Sequence, residues 1–294
     1  MSIIRTTFPR VSLLVLAWLV LAFLVVPLTV ILPVSFTDQP FLSMPKHGLS
    51  LKNYISFFSD PVWLASTAQS FIIAICATCL AVAFGGLCAV ACWRLGGRLA
   101  TALRLLMLAP LIVPTIVQAV GMYRMWAWLG IYDTYLGVII AHAIVGLPYV
   151  VVTVSAALAT VDPKLEQAAR SLGASTGQAV RLVIFPNIAA GLFSGALFAF
   201  AHSFDELIVV LFLTSRAIAT LPKRIWEGLQ DDIDPTIAAA AVLLLLFTLG
   251  AMAISQLVKA RSARGRLATE KDNGAALTVA ASAPMAKPER GRSA

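Results

Sequence analysis

The sequence predicts an all-α membrane protein with six transmembrane helices. Of its 294 residues, 60% are hydrophobic and only 12% are Asp, Glu, Lys or Arg, about half the charged share of a soluble domain. So little charge cannot cover a globular surface, which excludes an ordinary soluble enzyme and a disordered chain. Long uncharged stretches recur along the chain, and none alternates over about ten residues as a membrane β-strand does.

Six stretches are long enough to cross a bilayer core, which takes roughly 20 apolar residues per helix. Arg5 and Arg10 precede the first, but its apolar run exceeds the roughly 7–15 residues of a signal-peptide core. An uncleaved first helix is therefore expected. The predicted helices are 11–36, 62–93, 103–125, 134–160, 186–213 and 235–258, within a transmembrane domain of residues 11–260.

The charge distribution predicts the orientation. Both ends and the loops after helices 2 and 4 hold 16 of the 22 Lys and Arg residues. Lys and Arg favour cytoplasmic loops, so residues 1–10 and the C-terminus are expected in the cytoplasm. The net charge of +8 is thus a topology signal and does not indicate nucleic-acid binding. Basic residues near helix 6 are placed to contact membrane lipid, and the tail 261–294, without apolar periodicity, is predicted to be disordered.

The loop between helices 4 and 5 predicts a short amphipathic helix outside the membrane. Asp162 is a suitable N-cap, Glu166 lies in the first turn, where the helix dipole favours a carboxylate, and Gly173 suits the C-terminal end. Small residues, Ala168 and Ala169, would let its exposed face sit closely in a groove of another protein. The alternative is a helix that packs on its own bundle.

This loop resembles the Glu-Ala-Ala loop of the inner-membrane permease subunit of bacterial ABC importers. The family pattern is Glu-Ala-Ala, three residues, Gly, nine residues, then Ile-x-Leu-Pro. The chain departs from it at three positions, and Glu166, one residue early, is a candidate to replace the missing carboxylate. The residues at matching positions are Gln167, Ala168, Ala169, Gly173, Val183, Phe185 and Pro186.

The resemblance implies a type I importer permease of the bacterial inner membrane, with a cytoplasmic coupling helix between helices 4 and 5. It implies four kinds of partner: a cytoplasmic ABC ATPase dimer, a second and distinct permease, a periplasmic or lipid-anchored solute-binding protein, and membrane lipid. The chain has no Gly-x-x-x-x-Gly-Lys-Ser/Thr phosphate loop. ATP hydrolysis is therefore assigned to the ATPase partner, and the chain itself is expected not to be an enzyme.

Three further stretches resemble the family. Pro110-x-x-x-Pro114 is similar to importer permeases in general, and Ser203-Phe-Asp-Glu206 and Asp234-Pro-Thr236 resemble the spermidine/putrescine subgroup in particular. They imply a small cationic solute of the polyamine type. Related subgroups that move opines, phosphonates or ferric iron remain open. A proton-coupled secondary transporter, with acids and histidine as a relay, is the rival from another class.

Three ionisable residues of helix 5 are candidates for the translocation path: His202, Asp205 and Glu206. At about 100° per residue they share one helix face with Gly191 and Gly195, so they are expected to face protein or water. Asp205 lies about 28 Å beyond Pro186 at roughly 1.5 Å per residue, in the outer half of the span.

Two interpretations of the acids stay open. A carboxylate pair in an outer vestibule would attract a cation, whereas pairing with Arg124 or Arg216 would only fix helices together. His142 is expected to be a packed core residue. Cys76 and Cys92, on helix 2, lie about 24 Å apart, so the four cysteines cannot hold one metal. No catalytic residue, cofactor site or metal site is predicted.

Overall fold

The computed structural model describes residues 7–230, 234–254 and 256. All regular structure in these ranges is helical, which confirms the all-α prediction. Residues 1–6, the end of the predicted helix 235–258 and the tail 261–294 lie outside the described residues. The helices are α1 (Thr7–Ser35), α2 (Lys52–Ser59), α3 (Pro61–Leu95), α4 (Gly97–Leu108), α5 (Thr115–Leu129), α6 (Tyr135–Leu158), α7 (Lys164–Ser171), α8 (Thr176–Ala179), α9 (Phe185–Asp205), α10 (Ile208–Leu213), α11 (Leu221–Gln230) and α12 (Thr236–Ile254).

Among the described residues, five helical runs are long and apolar enough to span a membrane. They comprise α1, α3, α6, the continuous run Thr176–Asp205 that ends with α9, and α12. The pair α4 and α5 makes a sixth span if it is counted as one, although its two halves bend by 101°.

The bend lies within the span predicted over 103–125. Pro110 and Pro114 have no backbone N–H, and each disfavours helical geometry in the residue before it. The chain passes through a 3₁₀ turn at Ala109–Leu111 and restarts as α5. Gln118 Nε2 donates to the carbonyl oxygens of Pro110 (2.8 Å) and Val113 (2.7 Å), so the bend leaves these two groups paired.

The two ends of α3 define two sides of the bundle, which we call the Pro61 side and the Leu95 side. The bent pair α4–α5 runs from the Leu95 side to the Pro61 side. α4 begins on the Leu95 side, directly after Gly96. Beyond α5, Asp133 Oδ1 accepts from Ser215 N at 2.9 Å. The segment after Ser215 reaches α3 near its start, where Ala219 N donates to Gln69 Oε1 (2.9 Å). The pair therefore crosses the bundle and counts as one span, which gives six spans in the part of the chain that the structure describes.

Helices α3, α6 and α9 form the centre of the bundle. Glycine lets α9 approach α6 closely: a Cβ at Gly195 would lie 2.9 Å from Val150 Cα, and one at Gly191 would lie 2.6 Å from Ala157 Cβ. The glycine face predicted on helix 5 is thus a packing face. The buried cluster between the three helices includes Ala81, Val90, Val150, Val154, Leu158, Ile184 and Ile188.

The fifth predicted span, 186–213, also differs from the structure. It starts earlier, through a π turn at Val180–Ile184 in which Phe185 N bonds to Val180 O, ahead of Pro186. It is interrupted after Asp205, and α10 begins at Ile208. Glu206 therefore lies in a break, where the helical angle computed for a continuous helix does not apply.

Helix α1 stands apart from the centre of the bundle. Its described side chains along the apolar run from Leu13 to Leu28 are exposed. It is held at its end, where Ser35 Oγ lies 2.7 Å from Tyr54 Oη of α2 and Asn53 Nδ2 donates to Ser35 O (3.1 Å). These contacts place the end of α1 on the Pro61 side, because α2 directly precedes α3.

Candidate functional site

The short helix predicted in the loop is present as α7, and the residues predicted to begin and end it lie at its two ends. Asp162 Oδ1 accepts from Lys164 N at 2.9 Å, which caps the first turn. Gly173 follows the helix with φ +91°, a left-handed conformation that favours glycine. Ser175 then opens α8 through reciprocal bonds with Gln178.

The side chain of Glu166 points towards the helix bundle of its own chain. It is the single buried residue of α7, and its Oε1 lies 2.9 Å from Arg94 Nη2 in the last turn of α3. The carboxylate that was a candidate to replace the family's glutamate is thus paired with a residue of its own chain. Sequence reasoning counted Arg94 only as a topology charge, and no local spacing links two residues on separate helices.

The outward face of α7 is apolar and uncharged at its centre. Gln167 and Ala168 are exposed and Ala169 is half-buried. Leu165 is 44% exposed and Leu172, directly after the helix, is 89% exposed, so both leucines turn away from the bundle. Such a face is typical of a surface that another protein covers. Pro186, the last residue of the loop motif, is exposed at the start of α9.

The three path candidates have different surroundings. Glu206 is 8% exposed; its Oε1 accepts from Val209 N at 3.1 Å and its Oε2 lies 3.6 Å from His202 Nε2. The first bond caps α10 across the break. Asp205, one residue earlier, is exposed. The structure therefore brings His202 and Glu206 together and leaves the Asp205 carboxylate on the surface of the chain.

A polar contact joins α6 to the last turn of α9. His142 Nδ1 lies 2.8 Å from Ser203 Oγ, and the rings of Tyr149 and His202 lie 5.0 Å apart. His142 is buried, as expected, and its Nε2 has no hydrogen-bond partner among the described residues. The role of Ser203 in this contact had no local sequence signal, since its partner belongs to another helix.

The alternative in which Asp205 and Glu206 pair with arginine is not found among the described residues. In the ranges the structure describes, no ion pair joins Asp205 or Glu206 to Arg124 or Arg216. The buried cation in this region is Lys223, whose Nζ donates to Thr214 Oγ1 (2.9 Å) and to two backbone carbonyls in the segment after α10.

An aromatic cluster lies beside the break. Four phenylalanines from α3, α9 and α12 pack with ring centroids 4.7–6.2 Å apart. Among the described residues, no group of three His, Cys, Asp or Glu side chains could hold a metal ion. The cluster comprises Phe71, Phe200, Phe204 and Phe247.

The curated relatives include polyamine permeases. The chain is 29% identical over 241 residues to the spermidine/putrescine transport system permease protein PotC of Haemophilus influenzae, covering 82% of this chain and 93% of that protein. It is 26% identical to the putrescine permease PotI of Escherichia coli (76% and 82% covered). It is also 31% identical to the trehalose permease SugB of Mycobacterium tuberculosis (67% and 74%).

Solved transporters share the fold. A bacterial ABC transporter that imports alginate matches with a TM-score of 0.66 at 16% identity, covering 86% of this chain and 96% of that chain. The MetNI methionine ABC transporter matches with a TM-score of 0.56 at 18% identity (69% and 98%). The type I importer permease fold expected from the loop resemblance is confirmed by these likenesses.

The family is shown by residues 81–264, which match the model of the binding-protein-dependent transport system inner membrane component. This stretch includes α3 from its middle onward, the loop helix and the broken span α9–α10. The chain therefore belongs to this family of ABC importer permeases and is a multi-pass transport subunit, not an enzyme.

Proposed function

We propose that the chain is the permease subunit of an ATP-driven importer for a small cationic solute of the polyamine type. The observation that carries the proposal is Asp205, an exposed carboxylate at a break in an otherwise apolar span. A charge inside a membrane is costly and is retained mostly where it serves a path. The likeness to PotC over 93% of that protein's length supports the same solute class.

The three path candidates take separate roles in this proposal. Asp205 attracts and contacts the cationic solute. Glu206 holds the break open by capping α10, and His202 positions Glu206 from the last turn of α9. Because a carboxylate attracts cations, this arrangement favours a polyamine over an opine, a phosphonate or another anion.

The coupling loop takes the ATPase contact. The exposed face of α7, with Gln167, Ala168 and Ala169, docks in a groove of a cytoplasmic ATPase, and Gly173 and Pro186 fix the loop's shape. The partners are an ATPase dimer, a second permease and a solute-binding protein outside the membrane. Both ends of the chain lie in the cytoplasm.

Affinity purification from native membranes in mild detergent, with mass spectrometry, tests the partners. We expect an ATPase and a second permease to co-purify. Ala168→Asp places a charge on the docking face and should remove the ATPase, because an unpaired charge in an interface is costly. Ala159→Asp, at an exposed position before α7, is the matched control.

Uptake in reconstituted vesicles tests the mechanism and the solute. ATP-dependent accumulation of labelled putrescine or spermidine supports the proposal. An excess of an unlabelled opine, phosphonate or ferric iron should not reduce this accumulation. Uptake that survives without ATP and collapses with an uncoupler would replace it with a proton-coupled transporter. ATP-dependent uptake of trehalose alone would keep the importer and discard the cationic solute.

A further inference from the structure

We propose that the Arg94–Glu166 ion pair is an internal strut that carries movement of the coupling helix α7 to α3. The inference rests on the proposed function and adds a positioning role for two residues of this chain. In it, Glu166 does not contact the ATPase, and Arg94 is a working part of the permease beyond its topology charge.

The pair has the geometry of a specific contact. Arg94 Nη2 lies 2.9 Å from Glu166 Oε1, and the two side chains are only 31% and 11% exposed. Charged hydrogen bonds at this distance are stronger than neutral ones, and partial burial reduces screening by salt. The pair borders an open cavity of about 660 Å³ between the end of α3 and α7, so water can reach it and the contact can adjust during movement.

Helix α7 depends on this contact more than on apolar packing. Glu166 is its single buried residue, and Leu165 and Leu172 face outward. Without the pair, α7 would be joined to the bundle mainly through its flanking turns. A push on its exposed face would then move α7 without moving α3.

Helix α3 can pass the movement across the membrane. Arg94 lies in its last turn, and its other end binds the segment after α10 through Gln69 and Ser70, which accept from Ala219 N (2.9 Å) and Leu221 N (2.8 Å). Close packing makes a helix bundle shift as discrete, rigid pieces. A contiguous series of contacts therefore joins the coupling helix to the segment after α10.

Charge reversal distinguishes the strut from an ATPase contact. We would prepare Glu166→Arg, Arg94→Glu and the double variant in the purified complex, with Arg98→Glu as a control. Arg98 is exposed in the first turn of α4, four residues after Arg94. The readouts are ATPase co-purification, ATP hydrolysis and ATP-driven putrescine uptake, because a coupling effect of this kind changes uptake without removing the partner.

Each single reversal should keep the ATPase bound and still hydrolyse ATP, but lower uptake about fivefold or more. The double variant should restore most of the uptake, because the opposite charges meet again. Arg98→Glu should behave like the unmodified chain. Glu166→Gln, a milder change, should give the same uncoupling if a reversal prevents folding.

Two results would overturn the strut. In the first, Glu166→Arg loses the ATPase and the double variant does not recover it, which would place Glu166 at the partner. In the second, the single variants transport normally. If the unmodified complex contains no ATPase or transports no putrescine, the proposed function fails instead, and the two failures are thus distinguishable.

Discussion

At the scale of single residues, Asp205 and Glu206 are neighbours in sequence with different environments. Glu206 is buried and accepts from Val209 N, so its carboxylate is satisfied within the chain. Asp205 is exposed and forms no ion pair with another residue in the described ranges. One acid therefore stabilises the break, while the other remains available to a solute.

Substitution should separate these two roles. Asp205→Asn should lower putrescine uptake at limiting solute while leaving the melting temperature unchanged. Glu206→Ala should lower the melting temperature by about 2–4 °C, since a helix cap contributes about 1 kcal/mol. Scanning fluorimetry of the purified protein and labelled uptake measure the two effects. Unchanged uptake by Asp205→Asn would remove that residue from the path.

Asp38 organises the loop between α1 and α2. It accepts from Lys46 N (3.0 Å) and lies 2.8 Å from His47 Nδ1. The Lys46 N–H, and after it His47, hold the pKa of the Asp38 carboxyl well below its usual range. A lowered pKa means that the carboxylate stabilises the loop above its ordinary pKa of about 4, and that this stabilisation is lost as the pH falls further.

Replacing Asp38 should therefore loosen the loop at neutral pH. Asp38→Asn removes the charge and should raise the hydrogen-exchange rate of the Lys46 amide several-fold. The Lys46→Ala variant keeps that amide and its acceptor, so it is the control. Equal protection in Asp38→Asn and the unmodified chain would show that the charge does not hold the loop.

The residue scale also marks the reach of the sequence. Local spacing predicted α7 and both its ends, because Asp162 and Gly173 act on neighbouring backbone groups. It did not predict that Glu166 faces inward, since the cause is Arg94 on another helix. Angles along one helix are relative, and only tertiary contacts fix which side is buried.

At the scale of elements, the close approach of α6 and α9 requires glycine on α9, because a Cβ at Gly191 or Gly195 would clash with α6. The ring of His142 and the hydroxyl of Ser203 bridge the two helices at one level, and glycines bring the backbones together at another. The Gly-x-x-x-Gly spacing predicted close packing, but the partner helix had to come from the structure.

Gly195→Ala should separate these helices. Its Cβ would lie 2.9 Å from Val150 Cα, an atom that cannot rotate away. Overpacking of this kind costs about 1–3 kcal/mol, so the melting temperature and the yield of assembled complex should fall. Gly121→Ala is the matched control, because a Cβ there meets nothing within 4 Å and alanine favours helix by about 1 kcal/mol. Equal melting temperatures for the two variants would contradict the close approach.

The two interrupted spans had unequal sequence signals. Pro110 and Pro114 disfavour a continuous helix in the third span, although they do not by themselves predict a bend of 101°. The break after Asp205 contains no proline or glycine, and Glu206 caps α10 by a bond that a continuous helix would not need. Backbone propensity thus accounts for the bend at the two prolines, and tertiary contacts account for the break after Asp205.

At the scale of the whole molecule, contacts between helix ends show which of these ends lie together. The end of α1 and helix α2 are on the Pro61 side. The start of α12 is there too, because Ile237 packs with Phe57 and Trp63. Helix α1 thus ends on this side and α12 begins on it; as membrane spans, the two helices would place the start of α1 and the end of α12 on the Leu95 side.

Reporter fusions test this arrangement together with the orientation. Alkaline phosphatase is active outside the cytoplasm, and green fluorescent protein matures inside it. We expect active phosphatase after Gly48 and Gly130, and fluorescence after Ser171 and at the C-terminus. Lys and Arg concentrate on the Leu95 side, which favours the cytoplasm for that side.

The fusion after Gly130 is the decisive one. If α4 and α5 formed a re-entrant loop, the turn after α5 would return to the Leu95 side and phosphatase there would be inactive. The spans would then number five, and the two ends would lie on opposite sides of the membrane. The bonds from Asp133 to Ser215 and from Ala219 to Gln69 require the opposite result. Active phosphatase after Gly130 would therefore establish the sixth crossing. Together with active phosphatase after Gly48 and fluorescence at the C-terminus, it would place the two ends on one side.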